Sequence, residues 1–211
     1  MNSKENITLS SLTAISPIDG RYWNITNKLS EYYSEFGLIK KRIYIEIEYF
    51  FKLCETIPEL EELNLQKYNK KIKNIYENFT IQDAEEIKDI EKTTNHDVKS
   101  VEYFIKKKFI EIGLSKYTEY IHFGLTSQDI NNTAIPYLLS KSLKKLINPV
   151  YSDIKNKIYD LASKWIKIPM LSRTHGQPAS PTYLGKEMFV FYERIFNQVN
   201  QLDNCRLLPY H

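Results

Sequence analysis

Apolar residues recur at steps of three and four along most of the chain, and that spacing predicts helices. From Leu29 the run is Leu29, Tyr33, Phe36, Ile39, Ile43, Ile47, Phe50 and Cys54, one face of a long amphipathic helix. Gly37 interrupts it, so the pattern fits either one helix with a weak point or two shorter helices. A second stripe, Val150, Ile154, Ile158, Leu161, Trp165 and Ile168, stops at Pro169. A third, Leu184, Met188, Phe191, Ile195, Val199 and Leu202, follows Ser180 as N-cap and Pro181 at the first helical position. Asp97 to Ile112 and Ser127 to Ile147 also read as helical, with Pro136 kinking or interrupting the latter. Glu59 to Lys73 is charged and weakly periodic, which suggests a surface turn and a short helix. Period-two alternation is scarce, so the expected fold class is all-α. The near-heptad stripes predict a bundle, and the third stripe would expose apolar surface unless another chain covers it.

Composition narrows the function classes. In 211 residues, 42% are hydrophobic and 26% charged, which is a globular balance and not a disordered one. No run of eighteen apolar residues predicts a membrane span. The net charge of +3 is too small to imply nucleic-acid binding. The short runs Lys106-Lys107-Lys108 and Lys144-Lys145 have acidic neighbours and no aromatic ladder. Two cysteines, Cys54 and Cys205, make no disulfide framework, and Met1 to Asn6 lacks a secretory pattern, so cytoplasm is the expected location. The four histidines lie far apart, with no paired cysteines and no HExxH, and neither a Walker loop nor GxGxxG occurs. Of 29 basic residues only Arg21, Arg42, Arg173, Arg194 and Arg206 are arginine, so each is a candidate for a bidentate contact.

Four segments break the helical pattern with chemically useful groups. Ser16-Pro17-Ile18-Asp19-Gly20-Arg21-Tyr22 is a turn in which Arg21 either clamps a phosphate or carboxylate or stays solvated. Thr93-Thr94-Asn95-His96-Asp97 precedes a predicted helix that Asn95 or Asp97 caps, with His96 near its free amides. In His122-Phe123-Gly124-Leu125-Thr126-Ser127-Gln128-Asp129, Thr126 and Asp129 have capping-box spacing, and Ser127 caps equally well. That segment is either a plain cap or an anion cradle. Leu171-Ser172-Arg173-Thr174-His175-Gly176-Gln177-Pro178-Ala179 is dense in donors, and a histidine beside Arg, Thr and Gln suits acid–base work on an anion.

In this order the four segments resemble the adenylosuccinate lyases of the fumarase/aspartase superfamily. The matching text is Ser16 to Tyr22, Glu91 to Val98, Phe123 to Asn132 and Ser172 to Ala179. The resemblance implies an N-terminal helical domain over residues 1–116 and the first part of a central helical bundle over 117–211. It implies β-elimination of fumarate from adenylosuccinate, giving AMP, and from the related ribotide SAICAR, giving AICAR. It also implies no metal or organic cofactor, and a homotetramer for the complete enzyme. Carried over residue by residue, His175 is the general acid, and His96 contacts phosphate or supports proton transfer. Arg21 and Tyr22 match the nucleotide-binding pair. Asn95, Asp97, Thr126 and Ser127 match substrate-binding positions, the last two on the succinyl carboxylates. Arg173 and Gln177 contact substrate or support residues that do.

One part of the family pattern is missing. The resemblance implies a catalytic base on a loop serine in text of the type Ser-Ser-x-Met-Pro-x-Lys-x-Asn-Pro, and no such text occurs. The tail from Asp203 to His211 also drifts from the family's continuation. The expectation is a chain cut within a long helix, far less active alone than a complete enzyme. The alternative is a catalytically inactive assembly or ligand-binding module derived from the lyase fold.

Overall fold

The computed structural model describes residues 9–205; Met1 to Asn6, and the end of the drifting tail from Arg206, lie outside them. Helix dominates, and the class is all-α apart from one small hairpin. Two short helices open the chain, α1 (Trp23–Thr26) and α2 (Ser30–Tyr33), followed by α3 (Glu35–Cys54). The break in the first stripe falls at Ser34 rather than at Gly37. Ser34 takes an extended backbone, and its hydroxyl accepts from the Gly37 amide, so the glycine lies inside the first turn of α3.

α4 (Leu65–Glu77), α5 (Ile81–Thr94) and α6 (Asp97–Glu111) follow. The Glu59–Lys73 region is more than a surface insert, because it buries Leu60, Leu63 and Ile72. The core is built from Ile39, Ile43, Ile47 and Phe50 of α3 against Val101, Phe104, Ile105 and Phe109 of α6. Phe50 meets Phe109 edge to face at 5.0 Å, and Phe79 meets Phe104 likewise at 6.0 Å. Thr80 and Asp83 form a reciprocal capping box at the start of α5. Thr80→Ala is expected to destabilise the fold by about 1 kcal/mol, read as a lower urea midpoint with unchanged slope.

α7 (Ser127–Ser142) meets α3 where Lys41 lies over both the Tyr44 and Tyr137 rings, at 4.0 and 3.9 Å. Pro136 sits inside α7, and a π-helical turn at Leu143–Ile147 leads into α8 (Asn148–Lys164). The described chain gathers into two compact units, one up to Leu139 and one from Ser140.

In the second unit, strand β1 (Pro169–Thr174) pairs antiparallel with β2 (Gln177–Tyr183), and β2 runs directly into α9 (Leu184–Asn204). Ser180 and Pro181 therefore lie in a strand instead of capping the helix, whose N-cap is Tyr183. α8 and α9 are antiparallel: the Asn148 side-chain Nδ2 donates to Asp203 Oδ1 at 2.7 Å, and Gly185 packs against Ala162 and Ile166 at the other end. Tyr159, Tyr192 and Phe196 form an aromatic ladder between them. Much of the second and third stripes stays exposed, including Val150, Ile154, Ile168 and Phe191. Among the described residues no helix is long and apolar enough to cross a membrane.

Candidate functional site

Three polar side chains leave the buried side of α3 at helical spacing: Arg42, Glu46 and Tyr49. Arg42, only 4% exposed, donates from Nη2 to Asp97 Oδ2 at 2.6 Å and from Nε to Asn131 Oδ1 at 2.9 Å. Glu46 is fully buried and accepts from the His122 Nδ1–H at 2.6 Å. The Tyr49 hydroxyl donates to the Phe123 carbonyl at 2.9 Å. A single helix thus holds the start of α6, the segment before α7 and the first turns of α7.

The segment between α5 and α6 departs from the expected capping. Asn95, left-handed at φ 49°, closes α5, and His96 is the N-cap of α6. The Lys99 amide donates to His96 Nδ1 at 3.2 Å, which places the proton of the neutral ring on Nε2. Asp97 lies in the first turn and accepts from the Val98 amide at 2.9 Å as well as from Arg42. Partial burial raises its pKa, but the Val98 amide and the Arg42 charge outweigh that and hold the carboxyl below its ordinary range. Thr94 and Ser100 join at 2.8 Å behind the turn.

Ahead of α7, the Thr126 amide and hydroxyl both donate to Asp129 Oδ2 at 2.7 Å, which holds that exposed carboxyl below its ordinary range. Both Thr126 donors are therefore engaged within the turn itself. Ser127 is half-buried at the first position of the helix. His122 is left-handed at φ 60°, and its hydrogen bond to Glu46 raises its pKa above 6.5 against a smaller lowering from burial. Arg21 and Tyr22 are exposed in the opening turn, where the Tyr22 amide donates to the Pro17 carbonyl at 2.9 Å.

In the second unit, Arg173, His175 and Gln177 cluster at the tip of the hairpin. Thr174 pairs with Gln177, so His175 and Gly176 form a two-residue turn with positive φ at both positions, 51° and 76°. This is the twist that a tight hairpin favours, with glycine at the position least tolerant of a side chain. All three candidate side chains are exposed. Of the predicted site residues, the structure brings His96 and Asp97 near each other, with His96 Nδ1 and Asp97 Oδ1 3.6 Å apart and no hydrogen bond between them. It joins Asp97 to the start of α7 through Arg42 and Asn131.

Sequence reasoning gave no site role to Glu46, His122 or Asn131 and named Arg42 only as one of five arginines suited to a bidentate contact. A signal existed for Arg42 and Glu46: each lies three residues after a stripe position, Ile39 or Ile43, and so on the face that the stripe buries.

Comparison with known proteins places the chain among lyases. The adenylosuccinate lyase of Dictyostelium discoideum is 52% identical over 208 residues, covering 96% of this chain and 45% of its own length. That of Haemophilus influenzae is 45% identical over 203 residues, covering 95% of this chain and 44% of its own. The chain thus spans somewhat under half the length of the curated relatives it matches. A crystal structure of a fumarate lyase from Mesorhizobium sp. BNC1 superposes with a TM-score of 0.67 over 84% of this chain and 39% of that one, at 20% identity, a likeness of fold. A family model described as Lyase matches residues 20–208, and the chain belongs to that lyase family.

Proposed function

We propose that this chain supplies the substrate-holding groups and the general acid of an adenylosuccinate lyase. The identity of 52% over 208 residues to a protein of that name carries the reading. The reaction eliminates fumarate from adenylosuccinate to leave AMP, or from SAICAR to leave AICAR. A base removes a weakly acidic proton beside a carboxylate, and hydrogen-bond donors stabilise the charge that develops there. An acid protonates the departing nitrogen. In this reading His175, exposed at a tight turn between Arg173 and Gln177, gives that proton.

In the first unit, His96 offers its Nε2–H to the phosphate, where Arg21 and Tyr22 add donors. Asn95 and Asp97 line the nucleotide, and Thr126 and Ser127 take the succinyl carboxylates. Since Asp129 engages Thr126, substrate binding requires that pairing to exchange or the Ser127 side to lead. The domain division after residue 116, the homotetramer and a cytoplasmic location belong to the same reading.

The test is fumarate release from adenylosuccinate by the chain alone, and by the chain mixed with the remaining C-terminal part of the Haemophilus influenzae relative. Turnover in the mixture that His175→Ala removes is the expected result. Silence in both, with the added fragment folded, overturns the reading and favours an inactive ligand-binding or assembly module.

A further inference from the structure

Arg42 is 4% exposed on the face of α3 that Ile39 and Ile43 also bury, where an apolar residue would serve stability at least as well. What a buried guanidinium adds is direction, since its rigid fork sends N–H groups along fixed lines. Here Nη2 reaches Asp97 in the first turn of α6, and Nε reaches Asn131, one turn into α7. One plane therefore fixes two helix starts that lie far apart in the sequence. One and two turns further along α3, Glu46 and Tyr49 hold His122 and the Phe123 carbonyl, so the loop entering α7 hangs from the same helix.

We propose that Arg42 is a positioning residue that sets the spacing between His96–Asp97 and Thr126–Ser127, and that Asn131 is its partner on α7. The inference rests on the reading above, which places one segment on the phosphate end of the substrate and the other on the succinyl end. A ligand with both ends feels that spacing, whereas a ligand with only the nucleotide end does not. The device thus selects for the two-ended substrate over its one-ended product.

The experiment compares the wild-type 211-residue chain with Arg42→Lys, Arg42→Met and Asn131→Ala, measuring the affinity of each for adenylosuccinate and for AMP. Asn131→Ala keeps the Arg42–Asp97 pair and guards against the case in which loss of Arg42 unfolds the chain. Expected is a loss of about tenfold for adenylosuccinate in Asn131→Ala and Arg42→Met, with AMP affinity changed much less. Arg42→Lys, which can keep the charge on Asp97 but not both directed contacts, follows Asn131→Ala. An unchanged ratio of the two affinities in folded Asn131→Ala and Arg42→Lys overturns the proposal.

Amide hydrogen exchange at Thr126 to Asn131 is measured on the same samples. If the wild-type chain binds neither ligand, the substrate reading fails and this second measurement decides. Faster exchange there in both variants, with the amides of Ile43 and Phe104 unchanged, upholds the positioning role. Unchanged exchange removes it.

Discussion

Replacing Gly185 with valine is expected to destabilise the second unit by about 3 kcal/mol or more. Gly185 lies in the first turn of α9, against the end of α8. A methyl group on it would stand 2.6 Å from the Ile166 nitrogen and Cα, and would also strike the Ala162 carbonyl oxygen. These are backbone atoms, so no rotamer change relieves the contact. The approach is further locked by two hydrogen bonds, from the Gly185 amide to the Trp165 carbonyl at 3.1 Å and from the Leu184 amide to Ile168 at 2.9 Å.

Alanine improves helix propensity over glycine by about 1 kcal/mol, which offsets part of its clash, so Gly185→Ala should fall between wild type and valine. The measurement is urea unfolding with amide exchange over residues 148–204. Loss of protection there is expected, and a midpoint equal to wild type would mean that the α8–α9 crossing is looser than the structure has it. The consequence reaches function, because the hairpin bearing His175 is strung between these two helices. A looser crossing leaves His175, the acid of the proposed function, without a fixed position even though its own residues are intact.

The stripes were legible because period 3.6 is a local property. Asp97 to Ile112 became α6 at Asp97–Glu111, and Ile39, Ile43, Ile47 and Phe50 are buried as their spacing requires. The hairpin was not legible. Its turn is His-Gly rather than Asn-Gly, and Pro169, Pro178 and Pro181 argue against strands. The two strands tolerate them because the ribbon is only two strands wide and largely exposed, so many amides need no ladder partner.

The motif residues of the candidate site could be read from the sequence, but what holds them could not. Arg42 reaches Asp97 across 55 positions and Asn131 across 89, and Glu46 reaches His122 across 76. No local pattern encodes such distances. The only trace is a charged residue on a face that ought to be apolar.

That trace leads to the second large effect. His122→Leu is expected to cost about 3–5 kcal/mol, because it leaves the Glu46 carboxylate buried without its partner. Glu46 is fully buried, and its Oε2 has no hydrogen-bond partner among the described residues, so Oε1 and His122 carry the whole compensation. Glu46→Gln should cost less, since the amide keeps the shape and can still accept from His122.

The same pair makes stability depend on pH. The hydrogen bond to Glu46 is the main cause that lifts the His122 pKa, so its folded value lies above the ordinary 6.5. A raised pKa favours the protonated ring in the folded state. The contribution is therefore complete below about pH 6.5 and fades as pH rises through the folded value. Glu102 raises the pKa in the same sense, and Lys99 opposes it. Unfolding free energy should thus fall from pH 6 toward and beyond neutrality in the wild-type chain, and Glu46→Gln should flatten that fall. NMR titration of the His122 ring checks the cause separately: its midpoint should drop in Glu46→Gln, and an equal midpoint in both proteins would detach the pH dependence from this pair.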